Sequence, residues 1–169
     1  MESFHRKLLL AGKRLGSLIA LALNLDEDFF EKVGALDKPM PFLRLLHYPG
    51  DMGSFNDEIY GAYAHSDYGM ITLLATDGVP GLQAYLLLIS SSVQLYFLFT
   101  FIVEKYLGFY ANRALIVNIG DMMETWTNCL FGSTLHRVMP TGKERYSAAF
   151  FLNPNPDCLV ECLESCCSD

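Results

Sequence analysis

Two histidines and one aspartate carry the clearest chemical signal in this sequence. His65-Ser66-Asp67 sets an imidazole and a carboxylate two residues apart. In an extended segment, residues i and i+2 project to the same side. His136 lies far along the chain, in Ser133-Thr134-Leu135-His136-Arg137-Val138. That stretch alternates like a strand, with Thr134, His136 and Val138 on one face. Two imidazoles and one carboxylate form the ligand set of non-haem iron(II) oxygenases, which keep positions open for their substrates. Three protein ligands leave room for a bidentate oxo-acid and for dioxygen. A His-x-Asp pair alone is common, and a motif needs its context. Without that context the same residues also read as a loop histidine and a hydrogen-bonded strand histidine.

A second constellation follows in Arg145-Tyr146-Ser147-Ala148-Ala149-Phe150-Phe151-Leu152. On one face of a strand this alternation presents a guanidinium, a hydroxyl and then an aromatic ring. An arginine within so apolar a strand requires an anionic partner unless it sits exposed at the strand start. The distal carboxylate of a dicarboxylate suits it, held in bidentate fashion by Arg145 with a hydroxyl bond from Ser147.

The elements that position these groups can be read from periodicity. Phe4, Leu8, Ala11, Leu15, Leu18, Ala22 and Leu25 recur at spacings of three and four, the apolar stripe of a helix. Asp26 is placed to cap a second short helix through Val33, and Gly34 to end it. Pro39 and Pro41 then break the pattern. Short strands are expected at Phe42–Tyr48, Met70–Leu74, Leu115–Ile119, Ser133–Val138 and Arg145–Leu152. Turn pairs such as Pro49-Gly50, Asp77-Gly78, Pro80-Gly81 and Thr141-Gly142 separate them. Many short strands after two helices imply a mainly β jelly roll or barrel with helices packed outside.

Composition narrows the class. The chain has 169 residues, enough for one domain with a sizeable core. Its formal net charge of −7 gives a nucleic-acid role no electrostatic support. Lys and Arg are scattered, with no basic block for an anionic membrane surface. The five cysteines are odd in number and four crowd the C-terminus, which fits a reduced, cytoplasmic protein better than a disulfide framework. Cys158, Cys162 and Cys166, four apart, would share a helix face, but they lack the usual partners of a zinc site. Trp126 reads as core. His5 and His47 have no partners that the sequence identifies. Nothing calls for an obligate protein partner.

The uncharged run Tyr85–Val103 reaches transmembrane length. A single span there would separate His65 and Asp67 from His136 across the bilayer. A membrane anchor and the metal constellation therefore exclude each other. Buried strands or a core helix also explain such a run.

Several ordered motifs together carry a family resemblance. Ala64-His65-Ser66-Asp67-Tyr68-Gly69-Met70-Ile71-Thr72-Leu73-Leu74 resembles the first metal motif of the isopenicillin N synthase-like dioxygenases, and Gly81-Leu82-Gln83 follows as in that family. Val117-Asn118-Ile119-Gly120-Asp121, Thr127-Asn128 and Ser133–Val138 resemble the second metal motif and its approach. Arg145-Tyr146-Ser147 matches the family's Arg-x-Ser signature for 2-oxoglutarate. The plant 2-oxoglutarate-dependent members are the most similar in pattern.

The resemblance implies a double-stranded β-helix with iron(II) held by His65, Asp67 and His136 at one end of the barrel. It implies oxidation of a small organic substrate by dioxygen, with 2-oxoglutarate converted to succinate and carbon dioxide. By position, Tyr48 in His47-Tyr48-Pro49 would join Arg145 and Ser147 in binding 2-oxoglutarate, and Phe151 would line the substrate pocket. Residues 1–39 are expected as a helical segment packing on the barrel, 40–163 as the jelly-roll domain and 164–169 as a tail. Residues 84–113 depart from the family pattern as an apolar insertion or replacement, so the β-helix is expected to be incomplete. Family members also carry a large N-terminal region and a longer C-terminal tail. The pattern expected is therefore a truncated or alternatively spliced chain, with a catalytically silent fragment as the alternative to an active enzyme.

Overall fold

The structure, a computed structural model, describes residues 1–50, 61–90, 93–98 and 115–167. Helix α1 spans Glu2–Ala22, and a single turn, α2, spans Phe29–Lys32. The line of α1 that buries is Leu8, Gly12, Gly16 and Ala20, four apart. This differs from the stripe expected, since Phe4 and Leu18 are exposed. The reason is close approach: a Cβ on Gly12 would lie 2.9 Å from Leu152 Cδ2, and one on Gly16 would lie 2.8 Å from Leu36 Cδ1. The glycines let the helix sink onto neighbours that larger residues would hold off. Asp28, not Asp26, precedes α2, and the Asp26 carboxylate instead accepts a hydrogen bond from Lys32 Nζ at 2.8 Å.

Eight strands follow among the described residues. They are β1 (Phe42–Tyr48), β2 (Ala62–His65), β3 (Ile71–Thr76), β4 (Leu82–Ser90), β5 (Val93–Leu98), β6 (Ile116–Ile119), β7 (His136–Val138) and β8 (Arg145–Leu152). A short helix, α3 (Asp121–Trp126), follows β6. One sheet has the order β1-β8-β3-β6 and the other β2-β7-β4-β5, with every pairing antiparallel. Two four-stranded antiparallel sheets are the layout of a jelly roll. The described residues thus give a partial double-stranded β-helix with a helix on its outside.

β1 and β8 span the residues expected, and β1 pairs with β8 over its whole length from Phe42↔Phe151 to Tyr48↔Arg145. The core lies on the outer side of the β8 sheet. There Phe150, Leu152, Ile71 and Leu73 are buried together with Leu8, Ala20, Phe30, Leu36 and Trp126. His5 of α1 meets the Phe150 ring edge-on at a centroid distance of 5.1 Å.

The apolar run from Tyr85 contributes strands rather than a membrane helix. Residues 85–90 belong to β4 and 93–98 form β5, paired from Tyr85↔Leu98 to Ser90↔Val93. Residues 91–92 and 99–103 of the run, and the rest of the atypical segment to 113, lie outside the described residues. Among the described residues no helix is long and apolar enough to cross a membrane. At the C-terminal end, Cys162 and Cys167 are joined in a disulfide, against the expectation of free thiols. No helix brings Cys158, Cys162 and Cys166 onto one face. Burial, and then the charge of Asp37, pushes the Cys158 thiol up.

Candidate metal centre and acid pocket

The inner faces of the two sheets enclose a cavity of about 440 Å3. Its lining includes His65, Asp67 and His136, and also Arg145, Ser147, Tyr48 and Phe151. All seven residues singled out in the sequence therefore face one space.

Register brings the first three together. β2 and β7 pair with His65 directly opposite His136, and their ring centroids lie 4.4 Å apart. Asp67 follows β2 by two residues. Its Oδ1 is 3.8 Å from His65 Nε2 and 3.8 Å from His136 Nε2. One ligand atom from each of the three lies within 4.8 Å of the others, a spacing that can hold a metal ion.

The surroundings orient these groups. His65 Nδ1 lies 2.6 Å from the Tyr63 carbonyl, and His136 Nδ1 lies 2.8 Å from the Thr134 carbonyl. A carbonyl only accepts, so each Nδ1 carries the proton and each Nε2 presents its lone pair. Ligating histidines are commonly held in this way. Asp67 is buried. Its Oδ2 accepts hydrogen bonds from Thr72 Oγ1 and Asn118 Nδ2, both at 2.6 Å. Those two donors face each other in the β3–β6 register. They occupy one carboxylate oxygen and leave Oδ1 turned toward the histidines. The sequence motifs contain Thr72 and Asn118, but their role depends on cross-strand register, which spacing alone does not supply.

The other end of the cavity is built by β8 and β1. Arg145 is 3% exposed and Ser147 is 8% exposed. Arg145 Nε donates to the Val79 carbonyl at 3.2 Å, and the guanidinium carbon lies 5.1 Å from the centre of the Tyr48 ring. That stacking explains why Tyr48, opposite Arg145 in the register, shares the pocket. Arg145 Nη1 and Ser147 Oγ are buried and have no protein partner among the described residues. A buried cationic donor and a buried hydroxyl left unpaired are costly unless an acceptor meets them. A carboxylate supplies that acceptor and the missing negative charge. Further along β8, Phe151 stacks on Phe42 at 4.6 Å and sits opposite Thr72. It therefore belongs to the metal end of the cavity.

Comparison with known proteins agrees with this arrangement. The sequence pattern of the 2OG-Fe(II) oxygenase superfamily matches residues 39–154. The chain belongs to this superfamily. Kihadalactone A synthase LFS of Citrus sinensis is 39% identical over 170 residues, covering 100% of this chain and 48% of that protein. The 2-oxoglutarate-Fe(II) type oxidoreductase hxnY of Emericella nidulans is 37% identical over 169 residues, covering 99% of this chain and 44% of its own length. Among solved structures, a full-length Neurospora crassa protein in complex with alpha-KG gives a TM-score of 0.79 at 28% identity, over 100% of this chain and 54% of that one. The chain thus spans about half the length of the curated relatives it matches. The superfamily's cofactors, iron(II) and 2-oxoglutarate, fit what the cavity offers. Two oriented imidazoles and a carboxylate suit a divalent metal, and Arg145 Nη1 and Ser147 Oγ, without partners among the described residues, suit a dicarboxylate.

Proposed function

We propose that this chain carries the catalytic centre of an iron(II)- and 2-oxoglutarate-dependent oxygenase acting on a small organic molecule. The observation that carries the proposal is the shared cavity. Buried, unpaired Arg145 Nη1 and Ser147 Oγ face the space that also holds the His65, Asp67 and His136 cluster. Either site alone has other uses. Together they match an oxo-acid that meets a metal at one end and a guanidinium at the other.

In this reading His65, Asp67 and His136 would hold the iron, through the atoms that face one another. When bound, iron(II) with 2-oxoglutarate and dioxygen supplies a two-electron oxidation that yields succinate and carbon dioxide beside the oxidised substrate. Thr72 and Asn118 keep Asp67 aimed by donating to its other oxygen. Arg145 and Ser147 fix the distal carboxylate, and Tyr48 holds the guanidinium flat by stacking on it. Phe151 and the aliphatic lining, including Leu46, Leu74 and Ile116, exclude water and wall the substrate space.

Calorimetric titration of 2-oxoglutarate into manganese(II)-loaded protein tests this reading without a known substrate. Binding is expected to need the metal and to weaken about ten- to a hundred-fold in Arg145→Ala. Binding that ignores both the metal and Arg145 overturns it.

A further inference from the structure

Helix α3 begins directly beneath the metal cluster, and its first residue touches both ligand-bearing segments. The Asp121 N–H donates to the Asp67 carbonyl at 2.8 Å. Its carboxylate then accepts two hydroxyls from different parts of the chain. Ser133 Oγ donates to Oδ1 at 2.6 Å, and Ser66 Oγ donates to Oδ2 at 3.2 Å. Ser66 sits between the two ligands His65 and Asp67. Ser133 opens the stretch that leads through Thr134, whose carbonyl holds His136 Nδ1. One carboxylate therefore ties the two segments that must converge on the metal, with one oxygen for each.

The approach is close. A Cβ on Gly120 would lie 2.7 Å from the Asp67 carbonyl oxygen and would also collide with the Gly69 carbonyl. The Met122 N–H donates toward the Tyr68 and Gly69 carbonyls at 3.3 and 3.2 Å. Glu124 adds a second hold by accepting from the Ser133 N–H. Charge-assisted hydrogen bonds to a carboxylate are among the stronger ones, so Asp121 has the means to fix the spacing. An acid in the first turn of a helix also has an ordinary use, since it compensates the helix dipole. That use requires neither serine.

We infer that Asp121 is a positioning residue of the metal centre, acting through Ser66 on the His65/Asp67 segment and through Ser133 on the His136 segment. The inference rests on the reading of His65, Asp67 and His136 as the metal ligands. Outer partners of metal ligands typically contribute about ten-fold or more to affinity.

Cobalt(II) alone, titrated into the full chain and followed by its visible d–d spectrum, tests this without turnover. Asp121→Ala is expected to weaken cobalt(II) binding about ten-fold or more and to change the d–d spectrum. Ser66→Ala and Ser133→Ala should each reproduce part of that loss. Adding both to Asp121→Ala should cost nothing further, because the three act as one unit. Ser133→Thr, which keeps the hydroxyl, should retain wild-type binding. If Asp121→Ala lowers only the melting temperature, with cobalt(II) affinity and spectrum unchanged, the inference is overturned. It is equally overturned if both serine-to-alanine variants bind as wild type, and these decide the matter should Asp121→Ala fail to fold. Wild-type protein that binds no more cobalt(II) than His136→Ala removes the ligand reading itself, and this inference with it. Loss in His136→Ala without loss in the Asp121 and serine variants overturns this inference alone, which separates the two failures.

Discussion

At the scale of single residues, the centre depends on which oxygen of Asp67 is occupied. Thr72 and Asn118 both donate to Oδ2, and Oδ1 faces the histidines. Thr72→Val keeps the shape of a buried strand residue while removing one donor. It should weaken metal binding about ten-fold, read by competition against a chelator, with little change in the fold. Unchanged metal affinity would show that the Thr72 bond does not orient the ligand. Arg145→Ala addresses the opposite end. Hydrogen bonds to charged groups contribute roughly 1.5–3 kcal/mol, so 2-oxoglutarate affinity should fall by about ten- to a hundred-fold. Metal affinity should stay as it is. The residues that carry this chemistry were visible in the sequence because Arg-x-Ser sits on one face of a strand and His-x-Asp on the extended segment that leaves β2. Thr72, Asn118 and Asp121 were quoted in the same motifs without roles. Their partners lie on other strands or segments, and only register shows which donor meets which oxygen.

At the scale of elements, glycines set the clearances. α1 reaches the sheet through Gly12 and Gly16, and α3 reaches the metal loop through Gly120. Gly120 has an extended backbone that any residue can adopt, so the demand there is for space. Gly120→Ala should push a methyl into backbone carbonyls and cost about 1–3 kcal/mol, measured by denaturant unfolding. A neutral effect would mean that α3 shifts freely relative to the loop. Leu152 is fully buried between α1 and the β8 sheet. Leu152→Ala should cost about 2–5 kcal/mol in the same experiment. Alternation located β8 to the residue, and the breakers Pro41 and Pro49-Gly50 bounded β1. The three- and four-residue spacing found part of the core side of α1, since Leu8, Ala11 and Leu15 meet the core, but it missed Gly12 and Gly16, because hydropathy cannot see that a glycine marks the closest contact. The apolar run from Tyr85 reads equally as helix or strand by periodicity, and the pairing of β4 with β5 resolves its described part as strand.

At the scale of the whole molecule, two sheets hold a metal-type cluster and a carboxylate-type cradle across one cavity. Neither is assembled by neighbouring sequence alone. His65 and His136 meet because β2 pairs with β7, and Tyr48 meets Arg145 because β1 pairs with β8. The fold class was legible from the density of short strands and from the ordered motifs. The pairing of Cys162 with Cys167 was not, because spacing does not determine connectivity. The chain spans about half the length of its relatives, so the central question is whether these sheets suffice to assemble both ends of the site.

Anaerobic titration with iron(II) and 2-oxoglutarate, watching for the visible charge-transfer band of the chelate, addresses that question most directly. The account predicts a saturable band in the wild-type chain that disappears in His136→Ala and needs far more 2-oxoglutarate in Arg145→Ala. Folded wild-type protein with no band, or a band indifferent to His136, would contradict it.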